Sequence, residues 1–363
     1  MAYSDTTNAG SYYKTLLYTG DGTAIGSGGQ AVTGVGFQPD LNVIKERNGV
    51  DSMGWQDSTR GSQYSMFTDS NAAQVNSTEY VNTFTADGFT LGDAGWVNQS
   101  SQTYVAWNWK VNGGTTSSNT EGTITTTVQA DQTRGISIVK YTANGTDGAT
   151  IGHGLGVKPD VIAIKSMDNS TGWMNYHSSN VSPDFSASME MYWASNAGYT
   201  SATTWNSTEP TSTVITLDNS AGNGVNVSGD YIAYCWVGKP GFSKFSYYKG
   251  TGNSTQGPFV YTGFKPAYLM IKRYSGGSGS WEVFDNKRDG INPKNNTLYY
   301  QTASTEQGTG DRSNYVTLLS NGFHLSGTDG SWNANGDGYI YYAWAAEPLV
   351  SNVGSSGIPA TAV

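Results

Sequence analysis

The stretch Gly36-Phe37-Gln38-Pro39-Asp40-Leu41-Asn42-Val43-Ile44-Lys45 decides the fold of this chain, because closely similar stretches occur twice more. They read Gly156-Val157-Lys158-Pro159-Asp160-Val161-Ile162-Ala163-Ile164-Lys165 and Gly263-Phe264-Lys265-Pro266-Ala267-Tyr268-Leu269-Met270-Ile271-Lys272. Each begins with a Gly-x-x-Pro turn and continues into an apolar run that ends in lysine. Because proline fixes φ and lacks an N–H donor, the pattern predicts a turn that opens a short buried strand. The recurring lysines predict a solvated strand end or a deterrent to edge pairing.

Three further motifs surround this stretch in the same order each time. A tyrosine is followed four residues later by a glycine, starting at Tyr18, Tyr141 and Tyr248. A late Asp-Gly or Asn-Gly turn lies at 87–91, 223–227 and 321–325. Each block closes with a tyrosine and a tryptophan five residues later, namely Tyr104–Trp109, Tyr231–Trp236 and Tyr339–Trp344. This order and spacing indicate three tandem copies of one module.

The composition indicates that each module is built from β-strands. Only 36% of the residues are hydrophobic and 13% are charged, while 47 Gly accompany 11 Trp, 24 Tyr and 11 Phe. Short β-branched and aromatic runs between polar turns are typical of antiparallel strands. We therefore predict an all-β fold with almost no helix: three tandem repeats of a two-sheet antiparallel β-sandwich, jelly-roll or concanavalin-like.

The repeats set the predicted domain boundaries. The three β-sandwich repeats span 1–115, 116–240 and 241–350, and residues 351–363 form a C-terminal tail. Residues 110–121 are small and polar, which predicts a linker between the first two modules. The Thr-rich alternation from Gly122 to Gln129 predicts an added strand that opens the second module. The tail lacks core residues, so it is either loose or docked on a neighbouring subunit.

Charge and cysteine content exclude several functional classes. The net charge is -9, and the 19 basic residues are scattered, whereas a nucleic-acid surface needs clustered Lys and Arg. The single cysteine, Cys235, cannot form a disulfide within the chain and predicts an inert core thiol. No apolar run approaches the length of a membrane span, and the first residues lack the pattern of a signal peptide. We expect no nucleic-acid partner and no membrane insertion.

The motifs together resemble a family of virion-associated repeat proteins of marine bacteriophages, of the cyanophage or pelagiphage type. The resemblance rests on Tyr-Thr-Gly-x-Gly, Gly-Phe-x-Pro, Asn-Gly-Phe-x-Leu, Tyr-Val-Ala-x-x-Trp and the tail at Pro359-Ala360-Thr361-Ala362. It runs from about Asn8 to the C-terminus. What it implies is a tail-fibre-like or lectin-like virion protein, with no established catalytic residues to transfer.

From this resemblance and the composition we expect a structural and adhesive component of a bacteriophage particle. The protein would be a tail fibre, a tail appendage or a surface decoration, made in the host cytoplasm and exposed on the virion. Its expected partners are itself, as a homo-oligomer for which we favour a trimer, other virion proteins and a host-surface glycan. Two alternatives stay open: a polysaccharide depolymerase on the same fold, and a purely structural capsid cement.

No catalytic constellation stands out from the sequence, so we predict that the protein is not an enzyme. Asp57-x-x-Arg60 and Asp285-x-x-Arg288 occupy equivalent places, with His177 in the second module, and predict local ion pairs. The depolymerase alternative requires two carboxylates in one groove. The pairs to inspect are Glu282 with Asp285, and Asp329 with Asp337.

Carbohydrate binding has its best candidates in two tryptophans that follow Gly- and Asp-rich loops. These are Trp96 with Asp93, and Trp332 with Asp329. An exposed indole suits the apolar face of a sugar, while a carboxylate accepts from its hydroxyls. The competing interpretation is that both rings pack in an interface.

A calcium site is the remaining metal hypothesis, since we otherwise expect no cofactor. Asn333, Asn335 and Asp337 place oxygen side chains at alternate positions before a glycine, as a calcium loop begins. The twelfth position is Trp344 instead of an acid. An Asx-rich turn is therefore the favoured interpretation of this stretch.

Overall fold

The computed structural model describes Thr6 and residues 8–220, 224–307, 316–348, 350–351 and 358–359. Nearly every regular element is a β-strand, and every strand pair is antiparallel. The helical elements described are the four-residue helix α1 (Gly95–Asn98) and two single 3-10 turns, Ala9–Ser11 and Ile25–Ser27. The predicted all-β fold class is confirmed.

The first module contains a larger and a smaller sheet. Its strands are β1 (Tyr13–Thr19), β2 (Gln30–Thr33), β3 (Leu41–Glu46), β4 (Gly54–Asp57), β5 (Gly61–Phe67), β6 (Val75–Asn76), β7 (Val81–Thr85), β8 (Gly88–Leu91) and β9 (Thr103–Trp109). The larger sheet has the order β1-β9-β3-β4-β5-β6, and the smaller one the order β2-β8-β7.

The second module repeats this plan with an addition at one edge. Its strands are β10 (Ser117–Asn119), β11 (Thr126–Asp131), β12 (Ile136–Thr142), β13 (Thr150–Gly152), β14 (Val161–Ser166), β15 (Met174–His177), β16 (Met189–Tyr192), β17 (Thr200–Ser201), β18 (Val214–Thr216) and β19 (Asp230–Trp236). The order is β10-β11-β12-β19-β14-β15-β16-β17 in the larger sheet, and β13 pairs with β18. The predicted extra strand is β11, although it begins later than the alternation in the sequence suggests.

The third module has the simplest version of this arrangement of a larger and a smaller sheet. Its strands are β20 (Ser243–Lys249), β21 (Phe259–Tyr261), β22 (Phe264–Arg273), β23 (Trp281–Asp285), β24 (Leu298–Tyr299), β25 (Val316–Leu319), β26 (Gly322–Leu325) and β27 (Gly338–Pro348). The sheets have the orders β20-β27-β22-β23-β24 and β21-β26-β25. After them, β28 (Val350–Ser351) pairs with β29 (Ile358–Pro359), while the rest of the predicted tail lies outside the described residues.

The repeated motifs have the same structural role in each module. The opening and closing tyrosines are cross-strand partners on neighbouring strands. Their rings stack at 5.0, 5.3 and 5.1 Å in the pairs Tyr18–Tyr104, Tyr141–Tyr231 and Tyr248–Tyr339. The glycines before the proline turn have φ of 83°, 72° and 85°, at Gly36, Gly156 and Gly263, a region that favours glycine. In the third module β22 starts before its proline, and a bulge at Pro266 accommodates the missing donor.

Each module packs its two sheets together on the outside and turns the larger sheet inwards. In the first module the outer core contains Val32, Ile44, Phe89 and Tyr104. The opposite face of the larger sheet joins one core that all three modules share. The closing motif contributes to both cores, since its tyrosine faces outwards and its tryptophan inwards, as the alternation of a strand requires.

The structure corrects two details of the sequence interpretation. In the second module the counterpart of β8 and β26 is β18, because Ile215 pairs with Ile151 as Phe89 pairs with Val32. The Asn-Gly motif at 223–227 is not that strand, and Asn223 itself lies outside the described residues. The first residues of the predicted linker are bonded to the first module: the Asp40 carboxylate accepts N–H bonds from Val111, Gly113 and Gly114 at 2.7, 2.8 and 2.6 Å.

Candidate functional site

The three modules close into a ring, which the hydrogen bonds between them demonstrate. Backbone N–H groups of Gln74, Tyr199 and Glu306 donate to Met167, Tyr274 and Arg47, at 2.9, 3.2 and 2.7 Å. These bonds link the first module to the second, the second to the third, and the third to the first. Positions in the three donors and in the three acceptors correspond, so the ring has approximate threefold symmetry within one chain.

The predicted Asp–Arg pairs lie at these junctions. Arg60 Nε donates to Asp57 at 2.5 Å and Arg288 Nε donates to Asp285 at 2.6 Å, and all four side chains are fully buried. The next module adds a donor to each carboxylate: Tyr234 Oη to Asp57 at 2.7 Å and Trp107 Nε1 to Asp285 at 3.2 Å. Burial opposes the charge of Asp285, but the charge of Arg288 and the hydrogen bonds from Arg288 and Lys287 together outweigh it and lower the pKa of that carboxyl.

His177 takes the corresponding place in the second module. Its Nε2 is hydrogen-bonded to Tyr342 Oη from the third module. Burial lowers the pKa of His177 to about 3, so the imidazole is neutral at physiological pH. The predicted local ion pairs are therefore present, and they also join neighbouring modules.

The recurring lysines are buried, contrary to the solvated strand ends expected from the sequence. Lys45, Lys165 and Lys272 have no exposed surface, and each ammonium donates to main-chain carbonyls from two modules. The contacts across the junctions are with Ala303 O at 3.3 Å, Asn71 O at 2.8 Å and Asn196 O at 2.8 Å. The lysines thus donate hydrogen bonds to main-chain carbonyl oxygens where two modules meet.

The centre of the ring is filled by aromatic side chains. Trp109, Trp236 and Trp344 converge there, with Trp344 lying 5.2 Å from Trp109 and 6.4 Å from Trp236 between ring centroids. The cavity between them has a volume of about 10 Å³, which at most accommodates one water. The centre is therefore a packed core and has no room for a ligand.

Trp332 is buried, so it does not offer an exposed ring to a sugar. Its exposed fraction is 1%. Tyr248 Oη donates to Trp332 O, as Tyr18 Oη does to Val97 O in the first module. Trp332 therefore corresponds to a core valine and not to Trp96. Asp329 is occupied locally, since its Oδ1 accepts the Ser331 N–H at 2.7 Å.

Trp96 is partly exposed, and Asp93 beside it is exposed. The indole packs edge-on against Phe67 and Tyr80, with centroid distances of 5.2 and 5.1 Å. Glycine is required at Gly54, because a Cβ there would lie 2.3 Å from the indole. Trp96 therefore covers the edge of the first module, and a ligand role for Trp96 and Asp93 stays a prediction.

The candidate calcium residues serve the local fold. Asn333 is buried; its Oδ1 accepts the Thr251 N–H at 2.8 Å, and its Nδ2 donates to Gly327 O at 2.7 Å. Asn98 and Asn226 make corresponding bonds in the other modules. Asp337 pairs with Arg273, while Asn335 is exposed. Among the described residues no three His, Cys, Asp or Glu side chains form a group suited to a metal.

The carboxylates considered for catalysis do not form a site. Glu282 and Asp285 are three residues apart on β23, so their side chains project from opposite faces of the sheet. Asp337 and Asp329 are held by the ion pair and the turn described above. Cys235 is also unsuited to catalysis, because burial raises the pKa of its thiol to about 12.

Two pockets of ligand size lie on the outer side of the second module. The first, about 230 Å³, lies at the junction of the first two modules and is called the Tyr192 pocket below. It is lined by Asn71, Ser170, Thr171, Gly172, Tyr192, Ala194 and Ser195. The partly exposed Tyr192 thus lines a pocket whose other residues include Asn, Ser and Thr.

In the first module Trp96 covers the position that Tyr192 occupies in the second. Phe67 occupies the position of Tyr192: the Trp173 indole donates to Phe67 O at 2.8 Å, and the Trp281 indole donates to Tyr192 O at 2.9 Å. Trp96 covers Phe67, whereas Gly224 stands at the corresponding place in the second module. The ring at this position is thus covered by Trp96 in the first module, whereas Tyr192 lines a pocket in the second.

The second pocket, about 190 Å³, is called the Glu190 pocket and is lined by Glu190, Ser201, Ala202, Thr203, Thr204, Asp218 and Ser220. Tyr192 Oη and Thr204 Oγ1 both donate to the Glu190 carboxylate. Burial raises the pKa of Glu190. Burial also acts on Asp218, but hydrogen bonds from Ser220 and Thr203 outweigh it and lower the pKa of Asp218. The two pockets therefore meet at the bond between Tyr192 and Glu190.

The sequence contained one usable sign of these pockets. Glu190 and Asp218 have no counterparts among the repeated motifs, since Ser65 and Gly92 stand at the matching positions of the first module. Residues that depart from a repeat are candidates for function, but this criterion alone also selects many loop residues.

Comparison with known proteins assigns the family. A family model described as a domain of unknown function (DUF7483) matches residues 8–348. The chain belongs to the DUF7483 family. The match covers all three modules as one unit, in keeping with a ring whose modules share a core. No curated protein and no solved structure matches the chain.

The DUF7483 description names neither an activity nor a source, and the match brings no catalytic family with it. The phage resemblance therefore stays a prediction. Among the described residues no helix is long and apolar enough to cross a membrane.

Proposed function

We propose that this protein is a structural and adhesive component of a bacteriophage particle that binds host-surface carbohydrate without cleaving it. The Tyr192 pocket is the observation that carries the adhesive role. The partly exposed Tyr192 lines this pocket together with Asn71, Ser170 and Thr171. An aromatic face suits the C–H face of a sugar ring, and amide and hydroxyl groups suit its hydroxyls.

The ring of modules supports the structural part of the proposal. Three β-modules joined by buried ion pairs and lysine–carbonyl contacts form a rigid platform for the loops on their outer edges. Residues of two modules line the pocket, so its shape depends on the junction between them. On the particle, many copies would convert weak binding at each pocket into firm attachment. We further propose a homo-oligomer, a trimer being the expected form, attached to other virion proteins.

The test is a panel of surface glycans and host cells, with reducing-sugar release followed in the same wells. We expect binding without release. Tyr192→Ala should lower binding about fivefold or more, because the loss of one aromatic stacking partner is worth about 1 kcal/mol or more. Phe67→Ala is the matched control, since it removes a ring from the same position of the first module.

Each other outcome has a definite meaning. Release of reducing sugar would overturn the non-enzymatic part and support the depolymerase alternative. An equal loss of glycan binding in Tyr192→Ala and Phe67→Ala would show that the binding site lies outside the pocket. The absence of binding to every glycan and cell would favour the purely structural cement.

A further inference from the structure

The smaller sheet of the third module presents two aromatic rings on one side of its edge strand β21. Phe259 is 48% exposed and Tyr261 is 53% exposed, more than any other aromatic side chain among the described residues. They are two positions apart on the strand, so both rings project to the side opposite the buried Val260. An apolar face on an edge strand is a template for pairing with another chain, and proteins usually protect it.

The other two modules have small side chains at these positions. The cross-strand pairs of the smaller sheets align Phe259 and Tyr261 with two residues in each of the other edge strands. These counterparts are Ala31 and Thr33 on β2, and Thr150 and Gly152 on β13. Since both other modules fold without aromatic rings here, the fold does not require Phe259 and Tyr261, and their exposure makes them candidates for an interaction.

In the second module an extended segment, residues 122–126, covers the edge of the corresponding strand. Ile124 forms a parallel bridge with the middle residue of β13, and its N–H donates to Thr150 O at 2.9 Å. Thr126 Oγ1 donates to Gly152 O at 3.0 Å. The Ile124 side chain is buried in the outer core of the module. This edge of the module therefore accepts an added strand.

The ladder between β21 and β26 turns the main-chain groups of Phe259 and Tyr261 to the free edge. The Pro258 carbonyl accepts from β26 at 3.1 Å, and the Thr262 N–H donates to the turn before β26 at 3.0 Å. In an antiparallel ladder the main-chain groups of alternate residues point to opposite sides. Those of Phe259 and Tyr261 therefore face away from β26.

Within the described residues this edge of the third module is only partly satisfied. The Phe259 carbonyl stands where the second module accepts the Ile124 N–H, and no described residue donates a hydrogen bond to it. The Tyr261 carbonyl accepts from Lys244 Nζ of β20 at 2.8 Å, as its counterpart accepts from the Thr126 hydroxyl. The edge thus keeps an acceptor for an incoming main chain.

The residue at the position of Phe259 contacts the covering segment in the second module. There the Thr123 N–H donates to Thr150 Oγ1 at 2.9 Å, and the Thr150 N–H donates to Thr123 Oγ1 at 2.8 Å. Phe259 offers a ring in place of this hydroxyl, which favours an apolar β-branched or aromatic neighbour. The matching partner is an extended segment with apolar side chains in the places of Thr123 and Ile124.

We propose that β21 binds such an extended segment of a partner protein, which adds to the smaller sheet as a parallel strand and covers the rings of Phe259 and Tyr261. The main chain of the segment donates to the Phe259 carbonyl, and its apolar side chains pack against the two rings and over the outer core. The proposal does not depend on carbohydrate binding at the Tyr192 pocket.

The test is fluorescence anisotropy with the full chain and two labelled peptides of residues 119–129. One peptide has the native sequence and the other carries Thr123→Val. We expect the Thr123→Val peptide to bind, and the native peptide to bind about threefold more weakly, because a valine suits the Phe259 ring better. Phe259→Thr combined with Tyr261→Thr should lower the affinity for the Thr123→Val peptide about fivefold or more.

Two single variants separate the ring from the main chain. Tyr261→Ala removes the ring, whereas Tyr261→Pro also removes the N–H that faces the free edge, where an edge strand tolerates proline. Tyr261→Pro should therefore lower the affinity more than Tyr261→Ala. Tyr247→Thr, which removes an exposed ring from β20, is the matched control and should leave the affinity unchanged.

The opposing results have separate meanings. Peptide binding that the double variant retains would place the peptide elsewhere, and an absence of binding by both peptides would overturn the docking edge. Loss of glycan binding in the double variant, without any peptide binding, would make the two rings a sugar-binding surface instead. A wild-type oligomer that the double variant dissociates, again without peptide binding, would assign the face to a second copy of the chain.

Discussion

At the scale of single residues, the buried lysines show how strongly a neighbouring module changes a side chain. Burial lowers the pKa of Lys45 and Lys165 to about 8 and that of Lys272 to about 7. The ammonium groups remain inside because they satisfy carbonyls of two modules. A lysine that ends a strand in one isolated module would reach solvent, so its burial could not be predicted from the motif alone.

These lysines should make the protein more stable as the pH rises from about 7 towards 10. The unfolded chain binds protons up to the usual lysine pKa of about 10.4, whereas the folded lysines release them from about 7 to 8. Since the unfolded state then holds more protons, stability increases with pH, by at most about 1.4 kcal/mol per pH unit for each lysine. Urea unfolding at several pH values measures the slope.

Lys272→Met provides the control for this pH dependence. The variant removes one of the titrating groups, so the slope should decrease while the slope from the other two lysines remains. Lys249→Met, which alters an exposed lysine on β20, should keep the wild-type slope. A slope that is unchanged in Lys272→Met would show that this lysine titrates normally in the folded protein.

A second prediction at the scale of residues tests whether Asn333 stabilises the fold or binds a metal ion. Asn333→Ala removes a buried amide that accepts the Thr251 N–H and donates to Gly327 O, so the loss of these bonds should cost about 1–3 kcal/mol. Asn335→Ala, at an exposed position, should cost little. Addition of EDTA should leave the melting temperature of the wild type unchanged. A fall in that temperature with EDTA, absent from Asn333→Ala, would revive the calcium hypothesis.

At the scale of elements, repetition made the strands predictable where all three copies kept their motifs. The Gly-x-x-Pro turns, β3 and β14, and the closing strands β9, β19 and β27 follow directly from the repeated residues. The repeat did not predict β18, because another Asn-Gly pair in the second module resembles the motif. It also failed at Trp332, where proximity to a loop suggested exposure although the register places the ring in the core.

The candidate site was less predictable than the strands that carry it. Asn71 and Thr171 belong to different modules and are brought together by the junction, to which local sequence patterns give no access. The pocket opens beside Tyr192, whereas Trp96 covers Phe67 at the same position of the first module. Filling this space should close the pocket. Gly172→Trp would place a ring against Tyr192, since a Cβ there already lies 3.0 Å from it.

We expect Gly172→Trp to abolish glycan binding at the Tyr192 pocket with little loss of stability, because the pocket is open to solvent. Binding is read on the same glycan panel, and stability by thermal unfolding. Gly290→Trp, at a position where a Cβ meets no atom within 4 Å, is the surface control. Undiminished binding in a folded Gly172→Trp variant would place the glycan elsewhere.

At the scale of the whole molecule, the inward faces of the larger sheets bind the three modules into one folding unit. The second module contributes Trp173, Tyr234 and Trp236 to the shared core, where they contact Trp55 of the first module. In a separate module these rings would face water, and its buried His177 would lose Tyr342. A row of independent domains would not need such residues on an outer face.

The full chain should therefore unfold in one cooperative transition, with calorimetric and van't Hoff enthalpies in agreement. Residues 116–240 alone should not reach the native state, because the exposed inner face leaves a large apolar surface without cover. We expect this fragment to bind a hydrophobic dye and to lack the near-ultraviolet circular dichroism that packed tryptophans produce. Three separable transitions in the full chain, or a fragment with native-like packing, would mean that the ring is assembled from autonomous domains and that its junctions, with the Tyr192 pocket among them, form only after the modules have folded.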